Sequence, residues 1–205
     1  MSDNTHEHGV HLEILHQILS AATHEASAAM CRWTNGLITM SLDEVREIPL
    51  EAVSTEYDFG LDMLTMVVLT LNGEIGGSMI LCFDEENGRD LAASLLCSKQ
   101  RQTGDWTPLE RSALCETGNI LGCAYLNALT RLMSVDLVPS PPYFLQDYGA
   151  SVLEQALMEQ AALEDKVMIC RTRFTRGDQE LNWNVFFVPN SQMRQMMEDA
   201  LHIDA

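Results

Sequence analysis

Residues 107–133 read Thr-Pro-Leu-Glu-Arg-Ser-Ala-Leu-Cys-Glu-Thr-Gly-Asn-Ile-Leu-Gly-Cys-Ala-Tyr-Leu-Asn-Ala-Leu-Thr-Arg-Leu-Met, and the first four announce a helix. Thr107 can cap, Pro108 suits the first helical position, and Glu110 completes a capping box. The helix is predicted to run to about Met133, because Pro139, Pro141 and Pro142 forbid its continuation and impose an extended segment. At 100° per residue, Ser112, Glu116 and Asn119 fall within about 60° of one another and form one polar stripe. Leu114, Leu121, Tyr125, Leu129 and Leu132 form the opposite, core-facing set. Gly118 and Gly122 cost helix propensity, which predicts a closely packed neighbour or a backbone approached by a partner. Spacing alone leaves two readings open, a contact surface and an ordinary amphipathic helix.

Outward from this helix the chain reads as one plan used twice. The first half has a helix-like segment from about Val10 to Met40, a polar connection with Pro49, a strand at Leu64 to Leu71, and a turn at Asn72-Gly73. A return strand at Ile75 to Phe83 and a helix from Asp84 to Cys97 complete it. The second half has the helix above, an extra helix at Ser151 to Ala162, and strands at Val167 to Phe174 and Leu181 to Val188 around Arg176-Gly177-Asp178. It closes with a helix from Pro189 to Leu201. The closing segments align at an offset of 105 (187 − 82) and the opening helices at 91 or 92, which places an insertion near Tyr143 to Gln160. The expected architecture is α/β (α+β): two helix–hairpin–helix halves, about 10–98 and 105–203, sharing one mainly antiparallel sheet within a single domain, 1–205. The polar linker Lys99 to Asp105 reads as a hinge between the halves.

Twelve basic against thirty acidic residues leave a formal charge of −18, which argues against nucleic acid and against an anionic membrane surface. The longest apolar run, Met79 to Phe83, falls far short of the ~20 residues of a membrane span. The opening octet has neither the basic start nor the apolar stretch of a signal peptide, so the expected location is cytoplasmic. Cys31, Cys82, Cys97, Cys115, Cys123 and Cys170 include no C-x-x-C pair and read as reduced core thiols.

The spacing Ser112, three residues, Glu116, two residues, Asn119, twenty-two residues, Pro142 resembles the signature of the CheC/CheX/FliY phosphatases, which act on phosphorylated response regulators of bacterial chemotaxis. Residues 120–129 resemble that family too. The resemblance implies a CheC-like pseudo-two-fold fold and hydrolysis of the phosphoaspartate of a CheY-type receiver domain. It implies that Asn119 enters the receiver's active site and orients the attacking water, that Glu116 pairs with the receiver's lysine, and that Ser112 assists. Pro142 shapes the chain beside the helix. The protein needs no cofactor of its own, Mg²⁺ being expected in the receiver. The alternative implied is a non-catalytic adaptor that binds a phosphorylated receiver, a CheD-like deamidase or a flagellar switch protein.

Family members often carry the motif in both halves. At offset 91, Glu116 maps to Glu25, Asn119 to Ala28 and Ser112 to Ala21; at offset 92, Glu116 maps to His24 and Asn119 to Ser27. Neither register restores the glutamate–asparagine pair, so one working site is expected, with Glu25 and Ala28 marking a degenerate first-half site. His6, His8, His11, His16 and His24 crowd the N-terminus, but His8, His11 and His16 spread over about 140° of a helix surface, too widely for a ligand face, and no metal site is assigned. Met193, Met196 and Met197 read as core filler, Glu44 to Glu51 and Glu85-Glu86 as solvated charge, and Arg171, Arg173 and Arg176 as either a small basic spot or a soluble strand face.

Overall fold

The computed structural model describes residues 3–56, 63–98, 103–161 and 166–200, with the side chains of residues 3–12, 50, 54, 159–161, 166 and 198 outside the described set. The expectation for His6, His8 and His11 therefore lies outside it, as does most of the linker Lys99 to Asp105. The elements are α1 (Asp3–Trp33), β1 (Thr39–Pro49), a 3₁₀ turn (Leu50–Ala52) leading into α2 (Val53–Glu56), β2 (Met63–Leu71), β3 (Gly77–Phe83) and α3 (Glu85–Leu95). They continue with α4 (Pro108–Met133), β4 (Tyr143–Tyr148), α5 (Gly149–Ala161), β5 (Lys166–Arg176), β6 (Gln179–Pro189) and α6 (Ser191–Ala200). Among the described residues, no helix is long and apolar enough to cross a membrane.

The strands form one six-stranded antiparallel sheet in the order β1-β5-β6-β3-β2-β4. Exchanging β1 with β4, β2 with β5 and β3 with β6 returns the same order reversed. A pseudo-two-fold axis therefore passes between β3 and β6, and each half hands its edge strand to the other. One face of the sheet is covered by α1, α3, α4 and α6 over a core that includes Leu19, Leu69, Leu121, Tyr125, Phe187 and Met197. The other face packs Val68, Ile80, Ile169 and Phe186 under Leu153 and Leu157 of α5.

Several expectations are revised. The long first helix stops at Trp33, and β1 follows where a polar connection was expected. Its charges are paired across the sheet: Arg171 and Arg173 of β5 both bond Asp43, and Arg171 also meets Glu44. These two arginines make no basic spot, and Asp43 and Glu44 are not simply solvated. Tyr143 to Tyr148 is an edge strand paired with β2, the counterpart of β1 and not part of an insertion. The hairpin at Asn72-Gly73 exists but turns through residues 72–76, the return strand starting at Gly77. Only Cys82 and Cys170 are buried; Cys31, Cys115 and Cys123 are half-buried and Cys97 is exposed. Met193 and Met197 fill core, whereas Met196 is only partly buried.

The internal repeat also has a different register. Asn35 and Ser134, just past the ends of α1 and α4, both adopt left-handed backbone (φ 53° and 55°), and they are 99 residues apart (134 − 35). At that offset each buried residue of α1 from Leu15 onward (Leu15, Ile18, Leu19, Ala22, Thr23, Ala26, Ala29 and Met30) falls on a buried residue of α4. The caps of the closing helices, Asp84 and Asn190, give 106 (190 − 84). Part of that difference falls after β4, where α5 replaces the shorter α2 region.

Candidate functional site

Helix α4 is seated at three places. At its start the Thr107 hydroxyl accepts from the Glu110 backbone N–H, and Glu110 Oε2 accepts from the Thr107 N–H at 2.9 Å and hydroxyl at 2.8 Å. Glu110 is buried, and Arg89 Nη1 donates to both its oxygens at 3.1 and 3.2 Å. Burial pushes the Glu110 carboxyl up, but the Thr107 N–H and hydroxyl and the Arg89 guanidinium outweigh it and hold the group below its ordinary value. Arg89 lies 3.9 Å from the Trp106 ring centre, and Trp106 meets Phe144 of β4 at 5.4 Å. Mid-helix, Gly118 and Gly122 rest directly on β2: a Cβ on Gly118 would come within 2.5 Å of Val67 Cγ1, and one on Gly122 within 2.7 Å of Leu69 Cδ2. The sequence-expected close neighbour is thus the sheet itself. At the far end Ser134 turns left-handed and the Val135 N–H closes on the Thr130 carbonyl.

With its glycine face down, α4 turns the stripe outward. Ser112 and Glu116 are exposed and Asn119 is half-buried. Neither the Ser112 nor the Glu116 side chain has a hydrogen bond or ion pair among the described residues. Asn119 has one neighbour of this kind, the Cys123 thiol, which lies 3.6 Å from its Oδ1. That contact occupies the carboxamide oxygen from one side and leaves the Nδ2 donors free. Cys123 is a participant that sequence reasoning missed, although its position four residues after Asn119 is the available signal. Burial pushes the neighbouring Cys115 thiol up.

The flanks are unlike. On the β4 side, Arg111 lies 5.2 Å from the Phe144 ring centre. Pro142 stands immediately before the Tyr143–Val68 pair, after Ser140 has bonded Thr70, so it steers the chain along β2 beneath α4. On the α1 side, Trp33 Nε1 donates to Thr117 Oγ1 at 3.1 Å. Leu132, expected in the core, is 43% exposed.

At the structural offset of 99, Ser112, Glu116 and Asn119 correspond to Glu13, Gln17 and Ser20 of α1, not to the positions around Glu25 and Ala28. Glu25 instead makes an ion pair with Arg131 across the two helices. The earlier register matched polar residues by type, whereas burial fixes it two turns away. Among the described residues, no three His, Cys, Asp or Glu side chains gather where they could hold a metal ion.

No family model matches the chain. It is 24% identical over 184 residues to the CheY-P phosphatase CheC of Bacillus subtilis, covering 87% of this chain and 88% of that protein. Its fold superposes on Thermotoga maritima FliY with a TM-score of 0.72 at 14% identity, over 95% of this chain and 97% of that one. In sequence and in fold the chain is similar to the CheC/CheX/FliY proteins. The family's CheX, in the CheX–CheY–BeF₃–Mg²⁺ complex from Borrelia burgdorferi, superposes at a TM-score of 0.53 and 18% identity, over 88% of this chain and 99% of that one. In this chain the stripe of α4 is the surface that carries the Glu116–Asn119 pair, and α1 lacks it.

Proposed function

We propose that this protein hydrolyses the phosphoaspartate of a CheY-type receiver domain, with Glu116 and Asn119 of α4 as the pair that engages the receiver. The observation that carries this reading is the outward Glu116 and half-buried Asn119, one turn apart on a helix seated on the sheet by two glycines. Neither side chain is consumed by the protein's own fold, so both are available to a visiting domain. The curated name of the Bacillus relative supports the same reaction class.

A phosphoaspartate is an acyl phosphate. Water attacks phosphorus in line with the aspartyl oxygen, the P–O bond to that oxygen breaks, and inorganic phosphate and a free carboxylate result. The receiver's Mg²⁺ and lysine neutralise charge on the phosphoryl oxygens. This chain supplies position: the Asn119 carboxamide can both donate to and accept from one water, holding it on the attack line. Glu116 is suited to an ion pair with the receiver's lysine, which fixes the docking register. Ser112, one turn before Glu116, offers a peripheral hydrogen bond, and Pro142 holds the strand approach beside the helix without touching the reaction.

The test is decay of phosphorylated CheY-type receivers from the same genome, with and without the protein. Acceleration is expected, with Asn119→Ala lowering kcat at least about a hundredfold through loss of the oriented water. Full activity of Asn119→Ala would remove the assigned role. A second reading, a non-catalytic adaptor, draws on the loss of the pair from α1, which leaves the fold intact without it. Tight phosphate-dependent binding without turnover would favour that reading.

A further inference from the structure

Of the three tryptophans, Trp106 and Trp183 are buried at 4% and 0% exposure, whereas Trp33 is 36% exposed. An exposed indole at a helix end would ordinarily be mobile. Here its Nε1 is tied at 3.1 Å to Thr117 Oγ1, and Thr117 is itself fully buried and bonded to the Ala113 carbonyl at 2.9 Å. Thr117 follows Glu116 directly, and Ala113 and Ile120 are its neighbours one turn away on the helix surface. The indole is therefore held on the α1 side of α4, at the turn that carries Glu116, and Leu37, four residues on, is also exposed, at 49%.

The pseudo-symmetry supplies an internal control. At the offset of 99, Trp33 corresponds to Leu132, which is 43% exposed, and the stripe corresponds to Glu13, Gln17 and Ser20 of α1. The half with the glutamate–asparagine pair is the half flanked by an indole. Charge adds to this. With a net charge of −18 the protein offers little long-range attraction to an acidic partner, so docking energy must come from short-range contact. A fixed tryptophan provides that, because a large apolar area is presented with little side-chain entropy left to lose.

We propose that Trp33 is the apolar anchor of the receiver-docking surface, setting affinity for the phosphorylated receiver without taking part in hydrolysis; this rests on the phosphatase reading above. Such an anchor binds the receiver equally before and during reaction, so its loss raises KM and leaves kcat alone.

The experiment varies a phosphorylated CheY-type receiver against wild type, Trp33→Ala and Trp33→Phe, each checked for native far-UV circular dichroism. Trp33→Ala is expected to raise KM about tenfold with kcat within about twofold, and Trp33→Phe to recover most of the affinity. An unchanged KM, or a loss confined to kcat, overturns the assignment. A separate arm titrates the same receiver, loaded with beryllofluoride and Mg²⁺, and reads the wild-type minus Trp33→Phe emission. A saturable blue shift supports the anchor; no shift overturns it, as does a shift that depends only on the protein's own concentration, which would assign the ring to a second copy of this chain. If wild type gives no turnover, the phosphatase reading fails by itself, and the emission arm still decides whether Trp33 docks a receiver.

Discussion

Gly118→Ala offers the sharpest test of how α4 is positioned. On helix propensity alone the substitution should stabilise by about 1 kcal/mol. The structure opposes this. The new Cβ would lie 2.5 Å from Val67 Cγ1, roughly 1 Å inside ordinary carbon contact. Val67 cannot easily yield: it is fully buried, stiff at χ1 through β-branching, and paired with Leu81 on one side and Phe144 on the other. The helix cannot lift freely either, since Glu110 is bound to Arg89 at one end and Tyr125 lies in the core further along. Overpacking of this kind costs about 1–3 kcal/mol, so the net expectation is a destabilisation of about 1 kcal/mol. Gly122→Ala is the built-in comparison, because its 2.7 Å contact is to Leu69 Cδ2, the far end of a flexible side chain. It should be near neutral. Urea denaturation with a constant m-value reads both. In the double variant Gly118→Ala/Val67→Ala the losses should be less than additive by about 1 kcal/mol or more. Equal stabilisation by the two single alanines would refute the claim that Val67 fixes the helix height.

Glu110→Ala leaves Arg89 buried without its main partner and should cost about 3–5 kcal/mol, read as a fall in urea midpoint at constant m. Because the Glu110 carboxyl titrates below its ordinary value of 4.5 in the folded protein, its contribution is fully present above that value and fades as pH falls through the lower folded one; stability measured from pH 6 downward should show this slope, and Glu110→Gln should flatten it. Thr107→Ala removes the side-chain half of the capping box and should cost about 1 kcal/mol, with Thr107→Ser close to wild type in thermal unfolding.

Helix α4 was legible because three independent signals coincide at its start and its apolar period is uninterrupted. The stripe was legible for the same reason, since helical geometry alone brings Ser112, Glu116 and Asn119 together. Strand β1 was not. Asp43, Glu44, Arg46 and Glu47 make Thr39–Pro49 look like a solvated connection, and only the pairing with Arg171, Arg173 and Arg194 shows why an edge strand carries them. The same blindness turned Arg171 and Arg173 into a candidate basic spot. Strand β4 was hidden by its length of six residues and by the prolines before it. The repeat register failed for a different reason: Asn35 and Ser134 share no chemistry, and only their left-handed backbone identifies them as equivalent.

That register lets one half of the molecule interpret the other. The buried positions of α1 recur in α4 because both helices must fill the same groove on a pseudo-symmetric sheet. The outward positions are under no such demand. Polarity there does not distinguish the two stripes, since Glu13, Gln17 and Ser20 are as hydrophilic as Ser112, Glu116 and Asn119. The differences are narrower: a carboxamide where α1 has a hydroxyl, a carboxylate where it has a carboxamide, and an anchored indole on the flank where it has Leu132. The burial pattern does not require these, because the equivalent positions of α1 keep the same buried set without them. What they change is the set of contacts offered to a visiting surface: a charge, a two-way hydrogen-bonding group and a fixed apolar face side by side.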